Sequence, residues 1–229
     1  MSLDGLEEVV RMLRLGFGSL RRLRVLCIGA HSDDLEIGCA GTLLEWLDAR
    51  RSLEVTWVVL SARGARATEA RRSARKLLAR AKRLDVVLHD FDDGHFPARY
   101  AEIKSTLQSL KAAVAGPDLI LTHRIEDRHQ DHRTVGEIVW QTWRDHLILE
   151  FEIPKYEGDL GQPNLYVPVS ARNSRRKTEH LLRHFGTQRS KTWFSAATFE
   201  GLMHLRAVEC RAESGFAEAF HLRKATLGL

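Results

Sequence analysis

Cysteine is scarce in this sequence and long apolar runs are absent, and each shortage excludes a class of protein. The three cysteines, Cys27, Cys39 and Cys210, form no CxxC pair and leave one over in any pairing. We therefore expect reduced, buried thiols, with a Cys27–Cys39 disulfide as the alternative. The apolar stretches are too short to span a bilayer, and the N-terminus lacks a lysine-led apolar signal with a small-residue cleavage site. The sequence thus predicts a cytoplasmic protein without a transmembrane segment.

The charge balance is basic, with a formal net charge of +5. Lysine and arginine are concentrated at 21–24, 71–83 and 172–177, where aromatic residues are almost absent. Acids such as Glu45, Asp48 and Glu69 alternate with these clusters along the chain. Nucleic-acid-binding surfaces usually combine cations with aromatics or a base-reading motif. We therefore favour solvated helix faces and expect no nucleic-acid partner. A basic face would also suit an anionic or carrier-bound small substrate.

Short apolar runs alternate with helical patterns along the chain. The predicted strands are Arg24–Ala30, Glu54–Leu60, Asp85–Leu88, Asp118–Thr122, Leu147–Phe151 and Asn164–Val169. The predicted helices are Gly41–Arg50, Thr68–Lys82, Tyr100–Ala115, His132–His146, Arg175–Phe185 and Ser195–Ser214. This alternation is typical of βαβ units and predicts an α/β, Rossmann-like, doubly wound, mostly parallel sheet with helices on both faces.

We find no linker that would divide the chain, so residues 1–229 are predicted to form a single domain. Residues 1–20 show apolar positions at a helical period, including Leu3, Leu6, Val9 and Leu13. They predict an extra, amphipathic N-terminal helix that docks on the domain or on a second copy, which would make the protein a homo-oligomer.

Two segments rich in possible ligands follow predicted strands one and four. His31, Asp33 and Asp34 come after the first of these strands, whereas His129, Asp131 and His132 come after the other. In the strand order 3-2-1-4-5 these two strands are neighbours at the switch point, where such sheets bind their ligands. The sequence therefore predicts that both segments meet at one edge of the sheet. His123, at the end of strand four, is a candidate supporting residue there.

The residue types in these segments suit metal-assisted hydrolysis. His31 and Asp34 lie three apart, as do His129 and His132, so that two side chains can reach one ion. Two imidazoles and a carboxylate are typical zinc ligands that leave a position open for water. A further carboxylate can act as general base, and a further imidazole can stabilise an oxyanion. Asp33 as a plain helix cap and His129 as a surface residue are the alternatives.

The same segments resemble a known family. The stretch AHSDDLEIGCAGTL at 30–43 is similar to the AHPDDxEIGxGGTL signature of the LmbE-like, or PIG-L, zinc-dependent de-N-acetylases, and DRHQDHR at 127–133 resembles their DxHxDHR signature. Weaker likenesses occur at Arg66-x-x-Glu69-Ala70, at Asp93-Gly94 and at 215–220. The resemblance spans about residues 24–222. Ser32 stands where proline is usual, and Cys39 and Ala40 occupy the small-residue stretch, which affects the backbone and removes no ligand.

The resemblance implies a role for each matched position. His31, Asp34 and His132 would hold zinc, Asp33 would be the general base and then acid, and His129 would stabilise the oxyanion, with Asp131 setting its charge and orientation. We also expect substrate contacts at Arg66, Asp93 and Gly94. The alternatives there are an ordinary i, i+3 helix pair of Arg66 with Glu69 and a plain turn at Asp93-Gly94.

The expected function is therefore removal of an N-acyl group, most simply acetyl, from an amino sugar or glycosidic natural product. The partner would be a small N-acylated sugar or glycoside, and the cofactor Zn²⁺ or another divalent metal. Two alternatives stay open. One is a carbamoyl-ester or other small-amide hydrolase with the same metal site, and the other is a catalytically silent metal-binding protein.

Overall fold

The computed structural model describes Gly16, residues 20–49 and residues 52–226. Its strands are β1 (Arg22–His31), β2 (Ser52–Ser61), β3 (Arg83–Leu88), β4 (Leu119–His123), β5 (Ile148–Phe151), β6 (Leu165–Pro168) and β7 (Ala217–Leu222). Its α-helices are α1 (Asp34–Asp48), α2 (Gly64–Leu77), α3 (Tyr100–Ala113), α4 (Gln130–Thr142), α5 (Ala171–His184) and α6 (Ala196–Cys210). The predicted N-terminal helix at 1–20 lies outside the described residues, apart from Gly16 and Leu20.

The strands form one sheet in the order β3-β2-β1-β4-β5-β7-β6. β1 pairs in parallel with β2 and β4, and β7 is antiparallel to both β5 and β6. The predicted Rossmann-like, mostly parallel architecture is confirmed, including the 3-2-1-4-5 order on which the site prediction depends. The sequence did not predict β7, because only four of its residues are buried and no period-two pattern extends beyond them.

Side chains of β1 alternate between two apolar layers because successive residues of a strand point to opposite faces. Val25 and Cys27 pack on one side with residues of α1, α2, α5 and α6, and Leu26 and Ile28 pack on the other with residues of α3 and α4. The sheet is thus covered on both faces. All three cysteines are free, and the alternative Cys27–Cys39 disulfide is not formed. Cys27 and Cys39 are buried as expected, whereas Cys210 is only partly buried.

The first helix differs most from its prediction. It begins at Asp34, seven residues before the predicted Gly41, and every residue from Asp34 to Leu44 is buried. A helix buried on all sides has no polar face, so hydrophobic periodicity does not reveal it. The earlier start matters for the site, since it places Asp33 and Asp34 at the helix N-terminus directly after β1.

Within the described part of the chain, no helix combines the length and apolar character that crossing a bilayer requires.

Candidate metal centre

The carboxyl ends of β1 and β4 bring the two ligand-rich segments together. β1 ends at His31 and β4 at His123, and the two strands run in parallel with Cys27 opposite Leu121. The turn after β1 leads directly into α1, and the longer loop after β4 leads into α4, which begins at Gln130. Both helix N-termini therefore lie at the same edge of the sheet, as the predicted switch point requires.

Three predicted ligands converge in the interior at this edge. Nδ1 of His31 lies 3.1 Å from Nε2 of His132, and Oδ2 of Asp34 lies 3.5 Å from His31 Nδ1. Oδ1 of Asp34 is 3.5 Å from His132 Nε2. All three side chains are at most 8% exposed. Two loops that are about a hundred positions apart in the sequence thus contribute to one cluster.

This donor set fits a divalent ion. In a tetrahedral zinc site with ligand bonds near 2.0–2.1 Å, neighbouring ligand atoms lie roughly 3.3 Å apart, which is close to the separations seen here. Nδ1 of His132 lies 3.1 Å from Oδ2 of Asp127, so the second nitrogen of this imidazole has the carboxylate partner that metal-binding histidines usually have. Among the described residues, the groups of three whose ligand atoms all lie within 4.8 Å of one another are His31 with His129 and His132, Asp34 with His123 and His132, and His31 with Asp93 and Asp131.

His123 belongs to this centre more closely than the sequence indicated. Its Nε2 lies 3.0 Å from Oδ2 of Asp34 and accepts a hydrogen bond of 2.9 Å from the backbone N–H of Ala30. Its ring is stacked on that of His132, with 4.0 Å between centroids. Burial lowers the pKa of His123 to about 4, assisted by the neighbouring His132. The one signal in the sequence was its position as the last residue of β4.

Asp33 occupies the N-cap position of α1, yet its side chain makes no capping hydrogen bond. The alternative of a plain helix cap is therefore not realised. The carboxylate is buried and has Oδ1 3.7 Å from Nη2 of Arg66. Burial raises the pKa of Asp33, as does the adjacent carboxylate of Asp34, whereas Arg66 and His31 oppose the shift. A buried carboxyl group with a raised pKa and no capping hydrogen bond suits a general base.

His129 lies against the same cluster, with its ring centroid 5.0 Å from that of His31 and 4.5 Å from that of His132. Its Nδ1 accepts a hydrogen bond of 3.2 Å from the backbone N–H of Asp131. Burial lowers the pKa of His129, and the neighbouring His132 and His31 act in the same direction. The neutral ring then carries its proton on Nε2, since Nδ1 is an acceptor.

The carboxylate of Asp131 is placed differently from the prediction. Its Oδ2 lies 3.1 Å from Nε2 of His31 and accepts a 2.6 Å hydrogen bond from the N–H of Gly94, and Oδ1 accepts from the N–H of Phe96 at 3.1 Å. These contacts orient His31 and the loop before α3. Asp131 orients His129 through its backbone N–H instead, while its charge partly offsets the lowering of the His129 pKa.

The predicted substrate residues lie at the rim of this centre. Nη1 of Arg66 is 2.6 Å from Oδ2 of Asp93, and Oδ1 of Asp93 is 3.0 Å from Nε2 of His31. Glu69 instead accepts hydrogen bonds from the N–H and hydroxyl of Thr187, so the simple Arg66–Glu69 helix pair is not formed. Gly94 has φ of +83°, a conformation that favours glycine. Whether these residues contact a substrate stays a prediction.

Asp127 and Lys155 complete the arrangement. Nζ of Lys155 lies 3.1 Å from Oδ1 of Asp127 and 2.6 Å from Oδ1 of Asp159, with all three side chains buried. Burial opposes ionisation of Asp127, but His132, His123 and Lys155 together hold the pKa of Asp127 well below its usual range. The loop after β5 therefore supports the ligand His132 through Asp127. The ligand spacing in the sequence did not indicate Lys155, because this residue follows β5, whereas the predicted ligands follow β1 and β4.

The fold and this cluster define an α/β protein with a buried site suited to a divalent ion. Residues 26–143 match the PIG-L family, described as GlcNAc-PI de-N-acetylase. The chain belongs to this family, and the prediction of a hydrolytic N-deacetylase is confirmed at the level of the family.

Solved structures show the same fold in proteins of related and of different chemistry. N,N'-diacetylchitobiose deacetylase from Pyrococcus horikoshii is 18% identical, with a TM-score of 0.66 over 87% of this chain and 83% of that one. The zinc-inhibited form of teicoplanin deacetylase is 13% identical, with a TM-score of 0.66 over 86% and 96%. The 4-carboxy-2-hydroxymuconate hydratase from Pseudomonas putida KT2440 is 16% identical, with a TM-score of 0.63 over 91% and 100%.

Proposed function

We propose that this protein is a zinc-dependent amidohydrolase that removes an N-acetyl group from an amino sugar or a glycosidic metabolite. One observation carries the proposal. His31, Asp34 and His132 converge at 3.1–3.5 Å, and the buried, uncapped carboxylate of Asp33 lies directly beside Asp34. Family membership and the two acetyl-removing structural relatives support the reaction type.

His31, Asp34 and His132 would hold the ion, which supplies positive charge beside the amide carbonyl and the attacking water. Asp33 accepts a proton from that water as it attacks the carbonyl carbon. When the C–N bond breaks, Asp33 returns the proton to the departing amine, and the products are acetate and the free amino sugar. The raised pKa of Asp33 suits both halves of this proton transfer.

His129 would stabilise the negative charge that develops on the carbonyl oxygen. Its Nδ1 is occupied by the backbone N–H of Asp131, so the neutral imidazole presents an Nε2–H as hydrogen-bond donor. A donor held in position before the reaction is effective because it needs no reorganisation in the transition state. Arg66 and Asp93, joined at 2.6 Å beside His31, would then contact hydroxyl groups of the sugar.

The test joins metal analysis with a panel of N-acetylated glycosides. We expect the purified protein to contain about one divalent ion per chain, to release acetate from at least one glycoside and to lose this activity on chelation. Asp33→Asn should abolish acetate release while keeping the ion. The matched control is Asp145→Asn, which neutralises an exposed aspartate after α4 and should leave acetate release unchanged.

The alternatives give different products. A carbamoyl-ester hydrolase would release carbamate or ammonia instead of acetate, and a silent metal-binding protein would release nothing from any substrate while still binding the ion. Since a structural relative is a hydratase, an unsaturated carboxylate belongs in the panel as well. Addition of water without acetate release would contradict the proposal.

A further inference from the structure

Charge is divided unevenly between two helical segments and the rest of the chain. Residues 62–83 and 171–191 contain 16 of the 35 lysines and arginines but only 2 of the 30 aspartates and glutamates. The remainder of the chain therefore carries a net negative formal charge. These two segments hold α2 and α5, which lie side by side, with Nη2 of Arg72 donating to the backbone carbonyl of His184 at 3.3 Å.

A groove of about 620 Å³ runs along α2 where it meets the end of α5. Four of its seven lining residues are cations, and we call it the basic groove: Ala67, Thr68, Arg71, Arg72, Arg75, Lys76 and His184. None of these residues belongs to the candidate metal centre. Arg66, which does reach that centre, lies on the opposite side of α2, beside the buried Ala70 and Ser73.

Three cations of the basic groove lack the carboxylate partners that neighbouring cations have. Arg66 pairs with Asp93 and Arg80 pairs with Asp48, whereas no carboxylate of the described residues lies within ion-pair distance of Arg71, Arg75 or Lys76. Glu69, the acid of α2, bonds to Thr187 instead. The pairs Arg71/Arg75 and Arg72/Lys76 are each spaced i, i+4, an arrangement of like charges that destabilises a helix. The alternating acids expected from the sequence do not neutralise this surface.

His184 is a second feature of the groove. It lines the groove, is 8% exposed and has an Nδ1 atom that is buried without a hydrogen-bond partner. Buried polar atoms are rarely left unsatisfied, and those that are call for a ligand, an ion or a water. Burial lowers the pKa of His184, as do Arg72, Arg183 and Lys76, so the ring is neutral near pH 7.

We propose that the basic groove binds a compact polyphosphate, meaning two or more linked phosphoryl groups on one small molecule, at a site separate from the candidate metal centre. Arginine matches phosphoryl oxygens with paired, charge-assisted hydrogen bonds, and three arginines and a lysine line one groove here. The lining contains no aromatic side chain apart from His184, which disfavours single-stranded nucleic acid. The inference does not depend on the proposed function.

The probe is inorganic pyrophosphate, titrated calorimetrically into chelator-treated protein so that a bound metal cannot contribute. We expect one site per chain, with binding of inorganic phosphate at least about tenfold weaker, since half of the charged contacts are lost. Arg71→Gln/Arg75→Gln should weaken pyrophosphate binding at least about tenfold, because each substitution removes a charge-assisted hydrogen-bond donor. Both side chains are exposed, so this variant should fold normally.

The matched control is Lys82→Gln/Arg175→Gln, which removes the same charge from exposed positions of the two basic segments outside the groove. This control should change pyrophosphate affinity less than about twofold, as expected for screened, distant charges. No detectable pyrophosphate binding, or equal weakening in both double variants, would overturn the proposal. The proposal would also be overturned if vesicles of equal parts phosphatidylserine and phosphatidylcholine bound the protein and pyrophosphate did not compete with them.

Discussion

The candidate metal centre and the basic groove differ in whether their charged groups are paired with opposite charges of the protein. At the edge of the sheet, the buried ring of His132 lies between the carboxylates of Asp34 and Asp127. In the basic groove, Arg71, Arg75 and Lys76 share one helix face without a facing carboxylate among the described residues. A buried charge must be compensated by the protein itself, whereas an exposed charge can be left for solvent or a ligand. The difference distinguishes the candidate metal centre from the proposed anion site.

The largest expected effect is on catalysis at Asp33. Asp33→Asn should lower kcat by about 10²–10⁴-fold, because it removes the group that accepts and returns the proton. Bound metal should stay near the wild-type level, because Asp33 is not among the converging ligands. The measurement is acetate release beside metal content. Loss of the ion together with activity would instead make Asp33 a ligand.

A comparison of two lysines tests directly whether a buried charge depends on its partner more than an exposed charge does. Nζ of buried Lys177 lies 2.6 Å from Oε1 of Glu218 and donates to the carbonyl of Ile37 inside α1. Lys177→Met should lower the free energy of unfolding by about 3–5 kcal/mol, since it leaves Glu218 buried without its cation. Lys76→Met, at an exposed position of the basic groove, should change it by less than about 0.5 kcal/mol. Urea denaturation measures both. Equal effects would contradict the assigned difference in compensation.

Support of His132 by Asp127 predicts a smaller change. Asp127→Asn should weaken metal affinity by about 10–100-fold, because it weakens the hydrogen bond that fixes the imidazole of His132. Competition with a chromophoric chelator measures the affinity. Asp159→Asn is the matched control, because Asp159 contacts Lys155 but not His132 and should change metal affinity much less. Unchanged affinity in Asp127→Asn would remove Asp127 from the support of the metal.

The smallest expected effect is in the basic groove, where substitution should raise the stability of the fold and not lower it. Arg71→Gln/Arg75→Gln should raise the free energy of unfolding by about 0.3 kcal/mol at low salt, because one i, i+4 pair of like charges disappears. The gain should vanish in concentrated salt, which screens exposed charges. Arg172→Gln, whose guanidinium lies 3.8 Å from Asp48, should give no gain. Paired thermal melts at the two salt concentrations measure this. A loss of stability in the double variant would mean that its arginines have partners.

Much of the metal centre was predictable because it depends on topology. Strand order and motif position place His31 and His132 at one edge without any knowledge of side-chain contacts. The start of α1 was missed because its first turns are buried on every side and show no amphipathic period. The Asp131–His31 contact was missed for another reason. Both nitrogens of His31 have partners, and which carboxylate takes which nitrogen depends on side-chain geometry that spacing does not encode.

The basic groove shows the limit of composition as evidence. The cations at 71–76 were evident in the sequence, but the interpretation of a solvated face assumed that nearby acids neutralise them. In the structure, Glu69 bonds to Thr187 and Asp48 pairs with Arg80, so neither acid pairs with a cation of the basic groove. Pairing between elements, and not the count of charges along the chain, decides which cations are left for a ligand.

Metal binding by wild type and by His132→Ala, measured by equilibrium dialysis against zinc, tests the central claim most directly. We expect one tightly bound ion per wild-type chain and its loss from the variant, because His132, from the loop after β4, is one of the three proposed ligands. Retention of the ion at wild-type affinity in His132→Ala would show that His132 is not a ligand and would contradict the assigned set of three.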